Sequence, residues 1–243
     1  MSEAIRLPGP THKTAIVGRT GSGKTVAAVW LLSQSDFDER PWIVLDYKHD
    51  ELINSITRAE PVTYDELPEL PGVYILTVLP GEEERVDEWF KSVWERENIG
   101  VLIDEGYMID PRSQWFNACL TQGRSKHISM VILSQRPVWL SRFVFSEADF
   151  FVVFDLTHVD DLKTVSKFIK DDERHLLERP LAPHHSFFYD VGQKRLEVFG
   201  SVLDEERPYA QTVAELVGVI DTRLMLMDLL DDEGELRPMR RAI

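Results

Sequence analysis

The chain has 243 residues, of which 43% are hydrophobic, and this is enough apolar material for the core of one α/β domain. Its formal net charge of −15 excludes a protein that binds nucleic acid over its whole surface. No apolar run approaches the roughly 20 residues of a membrane span, and the N-terminal segment lacks the apolar stretch of a secretory signal. We therefore expect a protein of the cytoplasm of the producing cell.

Apolar runs alternate with helical patterns over the first two thirds of the chain. Buried strands are predicted at 13–17, 42–47, 73–79, 99–103, 128–133 and 149–154. Helices are predicted at 24–34, 82–97, 113–122 and 158–169. This alternation predicts an α/β fold with a mainly parallel central sheet that is covered on both faces.

The last third of the chain has a different pattern. Residues 186–190 and 195–199 predict a β-hairpin, and residues 211–230 predict an amphipathic helix. We expect a single domain, in which a core with the terminal hairpin occupies 1–203 and a C-terminal helix and charged tail occupy 204–243.

Two local features of the composition bear on function. The single cysteine, Cys119, excludes an internal disulfide framework, and we expect it to be a small buried side chain. The segment 111–146 contains five arginine or lysine residues and no acidic residue. A basic strip on an acidic chain can steer an anion, either ATP alone or ATP together with nucleic acid.

The first predicted strand leads directly into a glycine-rich sequence that matches GxxxxGK[ST] at every position. Glycines let backbone N–H groups curl around phosphate oxygens, and the following helix presents its positive N-terminus to the anion. In this phosphate-binding loop, or P-loop, Lys24 would reach the β- and γ-phosphates of ATP, and the Thr25 hydroxyl would bind Mg²⁺. The residues predicted to bind the nucleotide are Gly18, Arg19, Thr20, Gly21, Ser22, Gly23, Lys24 and Thr25.

Polar residues follow two of the later predicted strands: Asp104 and Glu105 come after the strand at 99–103, and Gln135 comes after the strand at 128–133. Asp104 is placed to hold Mg²⁺, and Glu105 is placed to act as the general base toward the attacking water. This second carboxylate favours hydrolysis of ATP over phosphoryl transfer to a small acceptor. The following strand ends at Gln135, whose amide can contact the γ-phosphate and report hydrolysis or, alternatively, bond to backbone.

The sequence LTQGRSKHISMVILSQRP at 120–137 resembles the segment that contains the sensor strand in the FtsK/HerA superfamily of P-loop ATPases. In that superfamily an arginine lies upstream of a strand that ends in glutamine, here Arg124 and Gln135. The sequence WIVLDYK at 42–48 also resembles the second core strand of the superfamily, which often ends in Asp-x-Lys. The resemblance extends from residue 13 to residue 155.

The resemblance implies a RecA-like core that works in a homo-oligomeric ring, usually a hexamer, and moves double-stranded DNA with the energy of ATP. It implies that Arg124 is a finger offered in trans to the ATP of a neighbour, where its charge stabilises the transferring phosphoryl group. It also implies that Gln135 is the sensor. Arg142 is a second candidate for the finger, and Arg136 is a candidate partner of a carboxylate.

Chain length and architecture indicate which branch of the superfamily this sequence resembles most. Chromosome translocases and conjugative coupling proteins carry membrane segments, and HerA-type helicases carry an N-terminal barrel, whereas the P-loop here begins at residue 18. The compact genome-packaging ATPases of viruses fit best. We therefore expect double-stranded DNA and a capsid or portal-vertex protein as partners, and the host cytoplasm or the virion vertex as the location.

A ring motor grips DNA in its pore through phosphate contacts that do not depend on base sequence. Arg112 and Lys126 are the predicted DNA-binding residues, although solvated surface charge explains either of them alone. Two other functions stay open at this point. One is a small-molecule kinase, which needs an acceptor pocket with a lid, and the other is a nucleotide-dependent switch or assembly ATPase that acts on protein partners.

Overall fold

The computed structural model describes residues 6–169, 174–200 and 213–229. The strands are β1 (Lys13–Val17), β2 (Pro41–Asp46), β3 (Glu60–Val62), β4 (Gly72–Thr77), β5 (Ile99–Ile103), β6 (Ile128–Ser134), β7 (Phe150–Val153), β8 (Ser186–Asp190) and β9 (Arg195–Phe199). The helices are α1 (Lys24–Ser33), α2 (Glu51–Asn54), α3 (Glu83–Arg96), α4 (Gln114–Gln122), α5 (Arg142–Ser146), α6 (Val159–Ser166) and α7 (Val213–Leu229).

All these strands belong to one sheet, in the order β3-β4-β2-β5-β6-β1-β7-β8-β9. Every pair from β3 to β7 is parallel, and β8 and β9 extend the sheet as an antiparallel hairpin. Parallel strands that are buried on both faces read as continuous apolar runs, which is why the sequence indicated them clearly. The predicted mainly parallel α/β fold with a C-terminal hairpin is therefore confirmed.

Helices cover both faces of the sheet and create two apolar clusters. On one face, α3 and α4 bury Trp89, Phe90 and the predicted small side chain Cys119. On the other face, α1 and α7 pack together through residues such as Leu32 and Ile220, which are both buried. Each large apolar side chain that is removed from water contributes about 1.5–3 kcal/mol, so α7 is firmly attached to this face.

Three short elements were not predicted. β3 is a three-residue edge strand that contains Pro61, a residue that cannot donate a ladder hydrogen bond and therefore argues against a strand. α2 and α5 have four and five residues, which is too few for an apolar periodicity to be visible. The predicted helix at 158–169 was too long, since α6 ends at Ser166.

The predicted boundary at 203 and 204 and the charged tail after residue 230 lie outside the described residues. In the part of the chain that the structure describes, the helices are all too short or too polar to cross a lipid bilayer.

Candidate nucleotide-binding and catalytic site

Four loops with polar groups leave the sheet at the same edge. The strands β2, β5, β6 and β1 are parallel neighbours in this order, so their carboxyl ends lie side by side. Ligands of open parallel sheets bind in the crevice outside these ends. The groups that follow the four strands are Lys48 after β2, Asp104 and Glu105 after β5, Gln135 after β6 and the P-loop after β1.

The P-loop backbone depends on its glycines. Gly21 and Gly23 have φ angles of 74° and 105°, in the left-handed region that favours glycine. A Cβ atom on Gly18 would lie 2.5 Å from the Cβ of Phe154. Gly23 is also the N-cap of α1 and provides no side-chain cap, so the first N–H groups of the helix stay available for an anion.

The polar side chains of the P-loop differ in their surroundings. The ammonium of Lys24 donates a hydrogen bond to the carbonyl oxygen of Arg19 at 3.0 Å. Burial, together with the positive charge of Lys48, lowers the pKa of Lys24 to about 8. The Ser22 hydroxyl is buried and has no hydrogen-bond partner among the described residues. Lys24 faces a cavity beside the P-loop, where a phosphate would meet its ammonium, whereas Arg19 is exposed and pairs with Asp155 at 3.2 Å.

Asp104 and Glu105 are each 1% exposed at the end of β5. Burial raises the pKa of Asp104 to about 6; Lys48 opposes this rise, and the carboxylates of Asp50 and Asp46 add to it. The Oδ2 atom of Asp104 is buried without a hydrogen-bond partner in the described part of the chain. An unpaired buried carboxylate oxygen is costly, and a hydrated Mg²⁺ ion would remove that cost. The residues present therefore fit the metal that the P-loop implies.

Thr25 is the second predicted metal ligand. Its hydroxyl points toward Oδ2 of Asp50, to which it donates at 3.5 Å. Within the described residues, no group of three or more His, Cys, Asp or Glu side chains could hold a metal ion by itself. Thr25 and Asp104 would consequently share Mg²⁺ with water and with the phosphates of the nucleotide.

The raised pKa of Asp104 predicts a pH dependence of stability. Its pKa is about 6 in the folded chain, against roughly 3.9 for an unfolded aspartate, so the native state holds the proton longer. This group therefore destabilises the protein progressively as the pH rises from about 4 to about 6. We expect the free energy of unfolding of Asp104→Asn minus that of the wild type to increase over this range. Urea unfolding without nucleotide, at several pH values, measures the difference, and a flat difference contradicts the assignment.

Gln135 connects the P-loop to the loop after β5. Its side-chain oxygen accepts a hydrogen bond from the Thr20 hydroxyl, and its Nε2 donates to the Tyr107 hydroxyl at 2.9 Å. β6 lies between β1 and β5, and this order places the amide between the two motifs. Gln135 thus bonds to side chains of the site, and the alternative of a strand-end amide that bonds to backbone was wrong.

A cavity of about 760 Å³ opens beside the P-loop. Its polar end carries Lys24 and Lys48, and its walls come from α1 and from the strands β7 to β9. The aromatic residues of these walls include Trp30, Phe188 and Phe199. Small-molecule sites occupy roughly 300–1,000 Å³ and combine apolar walls with a few polar groups, so the cavity is suited to a nucleoside triphosphate.

The sequence is similar to that of a bacteriophage protein. No family model matches the chain. It is 46% identical over 195 residues to the DNA packaging ATPase P9 of Enterobacteria phage PRD1, and the match covers 77% of this chain and 86% of that protein. The chain belongs to the P9 family of DNA packaging ATPases. The predicted resemblance to compact viral packaging ATPases is confirmed.

Solved structures share the fold at lower identity. The genome packaging NTPase B204 of Sulfolobus turreted icosahedral virus 2, in complex with sulfate, has a TM-score of 0.65 and 18% identity, and the match covers 82% of this chain and 100% of that chain. The same NTPase in complex with AMPPCP has a TM-score of 0.63 and 17% identity over 80% of this chain and 100% of that chain. VirB4 of Thermoanaerobacter pseudethanolicus has a TM-score of 0.60 and 10% identity over 82% of this chain and 91% of its own. The packaging ATPase described here therefore has the P-loop ATPase fold.

Arg124 lies far from the P-loop of its own chain. It precedes β6, at the amino edge of the sheet, where its exposed guanidinium forms an ion pair with Asp149. The seven residues of β6 separate this edge from the P-loop edge by roughly 20 Å. Arg124 therefore lies beyond contact distance of the P-loop of its own subunit.

The two other arginines of the basic strip differ in their contacts. Arg136 forms an ion pair at 3.0 Å with Asp161, a buried carboxylate that also accepts a hydrogen bond from the backbone of Val138. The predicted structural partnership of Arg136 with a carboxylate is confirmed. Arg142 is exposed, and its guanidinium lies 5.2 Å from the ring centroid of Phe143.

The two predicted DNA-binding residues are not equally accessible. The ammonium of Lys126 forms an ion pair with Glu97 and lies 3.9 Å from the ring centroid of Trp94. These contacts occupy Lys126 within its own chain. Arg112 is exposed in the turn after Asp110, which accepts a hydrogen bond from its backbone N–H at 2.8 Å. Arg112 is therefore the better candidate for a phosphate contact.

Four residues of the site were not identified from the sequence. Tyr107 positions the amide of Gln135, and Lys48 forms an ion pair with Glu105. Asp46 and Asp50 lie beside Asp104 closely enough to affect its pKa. The sequence feature that could have indicated them is the Asp-x-Lys ending of the second core strand, which contains Asp46 and Lys48. This ending does not by itself assign a function to either residue.

Proposed function

We propose that this packaging ATPase is the ATP-hydrolysing subunit of a ring motor that moves double-stranded DNA into a preformed viral capsid. The observation that carries the proposal is the convergence of the P-loop, Asp104, Glu105 and Gln135 at one sheet edge. It is supported by the 46% identity to a phage DNA packaging ATPase. The similarity to that relative supports a role in DNA packaging, and the groups at the sheet edge support hydrolysis of ATP.

The roles of the side chains follow from their positions. The backbone N–H groups of the P-loop and the ammonium of Lys24 would bind the phosphates of ATP. Thr25 and Asp104 would hold Mg²⁺, which, when bound, neutralises charge that develops on the phosphate oxygens. Glu105 would accept a proton from the attacking water. Gln135 would sense the γ-phosphate through its hydrogen bond with Thr20.

The distance between Arg124 and the P-loop of its own subunit is consistent with a ring in which neighbouring subunits share a nucleotide site. Its guanidinium is exposed at the edge of the sheet opposite to the P-loop, where only a neighbouring subunit can present a nucleotide to it. The proposed homo-oligomer, a hexamer by resemblance, would place Arg124 of one subunit beside the ATP of the next. The positive charge would then stabilise the transferring phosphoryl group.

The overall charge of −15 restricts where DNA can bind, because phosphates are repelled by most of the surface. The pore of the ring would carry the few cationic contacts, with Arg112 as the first candidate. Such contacts are independent of base sequence, as packaging of a whole genome requires. A capsid or portal-vertex protein would be the second partner.

The proposal is tested by ATP hydrolysis with and without long double-stranded DNA. We expect DNA to raise the rate of hydrolysis, and we expect the stimulation to decline as salt increases, because phosphate contacts release counterions. Arg112→Ala should reduce the stimulation and its salt dependence without changing the rate in the absence of DNA. Robust hydrolysis that is indifferent to DNA would contradict the motor and favour a nucleotide-dependent switch or assembly ATPase that acts on protein partners.

A further inference from the structure

Lys48 lies between the P-loop and the acidic pair. Its ammonium forms an ion pair with Glu105, and its side chain, 41% exposed, lines the same cavity as Lys24 and Thr25. In addition to the effects of burial, its charge lowers the pKa of Lys24 and opposes the rise in the pKa of Asp104. Lys48 is therefore coupled by electrostatics to both halves of the site.

The loop after β2 determines the position of Lys48. The buried carboxylate of Asp46 accepts hydrogen bonds from the backbone N–H groups of Lys48 at 3.2 Å and Asp50 at 3.1 Å. It also accepts one from the side-chain amide of Asn54 at 2.8 Å. These three donors hold the backbone of the loop. The long Lys48 side chain can therefore change partners while its backbone stays in place.

Glu105 has its carboxylate engaged in an ion pair in this structure. Its φ angle of 59° lies in the left-handed region, which is uncommon for a residue other than glycine. Its carboxylate is buried against Lys48 instead of being open to a water molecule. A general base must be within hydrogen-bond reach of the water that it activates, and Lys48 occupies that position at the carboxylate, so this ion pair must open before Glu105 can act.

We propose that Lys48 is a positioning residue that exchanges partners during the ATP cycle. It holds Glu105 while the P-loop is empty and turns to the terminal phosphate when ATP enters, which releases Glu105 to the attacking water. The inference rests on the proposed role of Glu105 in hydrolysis. Since ADP lacks the γ-phosphate, the exchange makes Lys48 a residue that distinguishes ATP from ADP.

The test is equilibrium binding of AMPPCP and of ADP, each with Mg²⁺, to four full-length chains. These are the wild type, Lys48→Met, Glu105→Gln and the double variant. Lys48→Met removes the ammonium but keeps the length of the side chain, and we expect it to weaken AMPPCP binding about tenfold while ADP binding hardly changes. Glu105→Gln removes the competing partner of Lys48, so AMPPCP should bind several times more tightly. This gain should disappear in the double variant.

Lys48→Arg keeps the charge and should retain most of the preference for AMPPCP over ADP. The melting temperatures of the nucleotide-free variants check that each chain is folded. Equal weakening of AMPPCP and ADP in Lys48→Met would overturn the proposal, because it would indicate only structural support of the cavity. A gain in Glu105→Gln that persists without Lys48 would also overturn it. These binding results are independent of the test of the proposed function, because nucleotide binding is measured without DNA and without turnover of ATP.

Discussion

Glu105→Gln should abolish multiple turnover of ATP without weakening nucleotide binding. The substitution keeps the shape of a side chain that is 1% exposed, so the packing at the end of β5 should be retained. An amide cannot accept the proton of the attacking water, and loss of a general base lowers the rate by about 10²- to 10⁴-fold. Phosphate release measures the rate, and calorimetric titration with AMPPCP measures binding.

Glu97→Gln is a matched control for this variant. Glu97 has a φ angle of 58°, almost the same as the 59° of Glu105, but it lies on the surface beside Lys126. We expect the rate of hydrolysis of Glu97→Gln to equal that of the wild type. This result would show that replacing a glutamate with a positive φ angle is harmless in itself, so a loss in Glu105→Gln would be due to the missing carboxylate. If Glu105→Gln hydrolysed ATP at close to the wild-type rate, another group would have to be the base. Loss of binding together with hydrolysis would instead indicate a structural role for Glu105.

The sequence predicted those parts of the molecule in which neighbouring residues act together. β1, β5 and both strands of the hairpin have the predicted bounds, because buried strands and their turns produce a local pattern. The P-loop could be recognised for the same reason, since consecutive backbone N–H groups and the following helix bind the phosphates. Local chemistry leaves a local signal in the sequence.

Contacts that depend on strand order could not be predicted. Lys48 meets Glu105 because β2 and β5 are neighbours, although 56 residues lie between Lys48 and Glu105 in the sequence and the pairing is visible only in the sheet. The same holds for Tyr107, which reaches Gln135 because β5 and β6 are adjacent. Sequence analysis therefore identified the phosphate-binding and acidic motifs but missed the residues that connect them.

Arg124→Ala should lower the rate of ATP hydrolysis by about 10³-fold or more, the usual effect of removing an arginine finger, without weakening ATP binding to the P-loop. The geometry motivates this expectation, because roughly 20 Å of β6 separates Arg124 from the P-loop edge of its own subunit. Arg142→Ala is the matched control, since Arg142 is also an exposed arginine of the basic strip. We expect this control to retain hydrolysis, and the opposite result would make Arg142 the finger.

Mixing two inactive variants tests whether the site is shared between subunits. An Arg124→Ala subunit still supplies an intact P-loop and Glu105, and a Glu105→Gln subunit still supplies an intact Arg124. One of the two kinds of mixed interface would thus contain every catalytic group, and hydrolysis should return when the variants are combined. Recovery requires the subunits to exchange, which labelled chains can verify. If exchange occurs and hydrolysis does not return, Arg124 does not act in trans, and its ion pair with Asp149 becomes its main role. If hydrolysis does return, the nucleotide site spans two subunits, because the fold keeps Arg124 and the P-loop at opposite edges of one sheet.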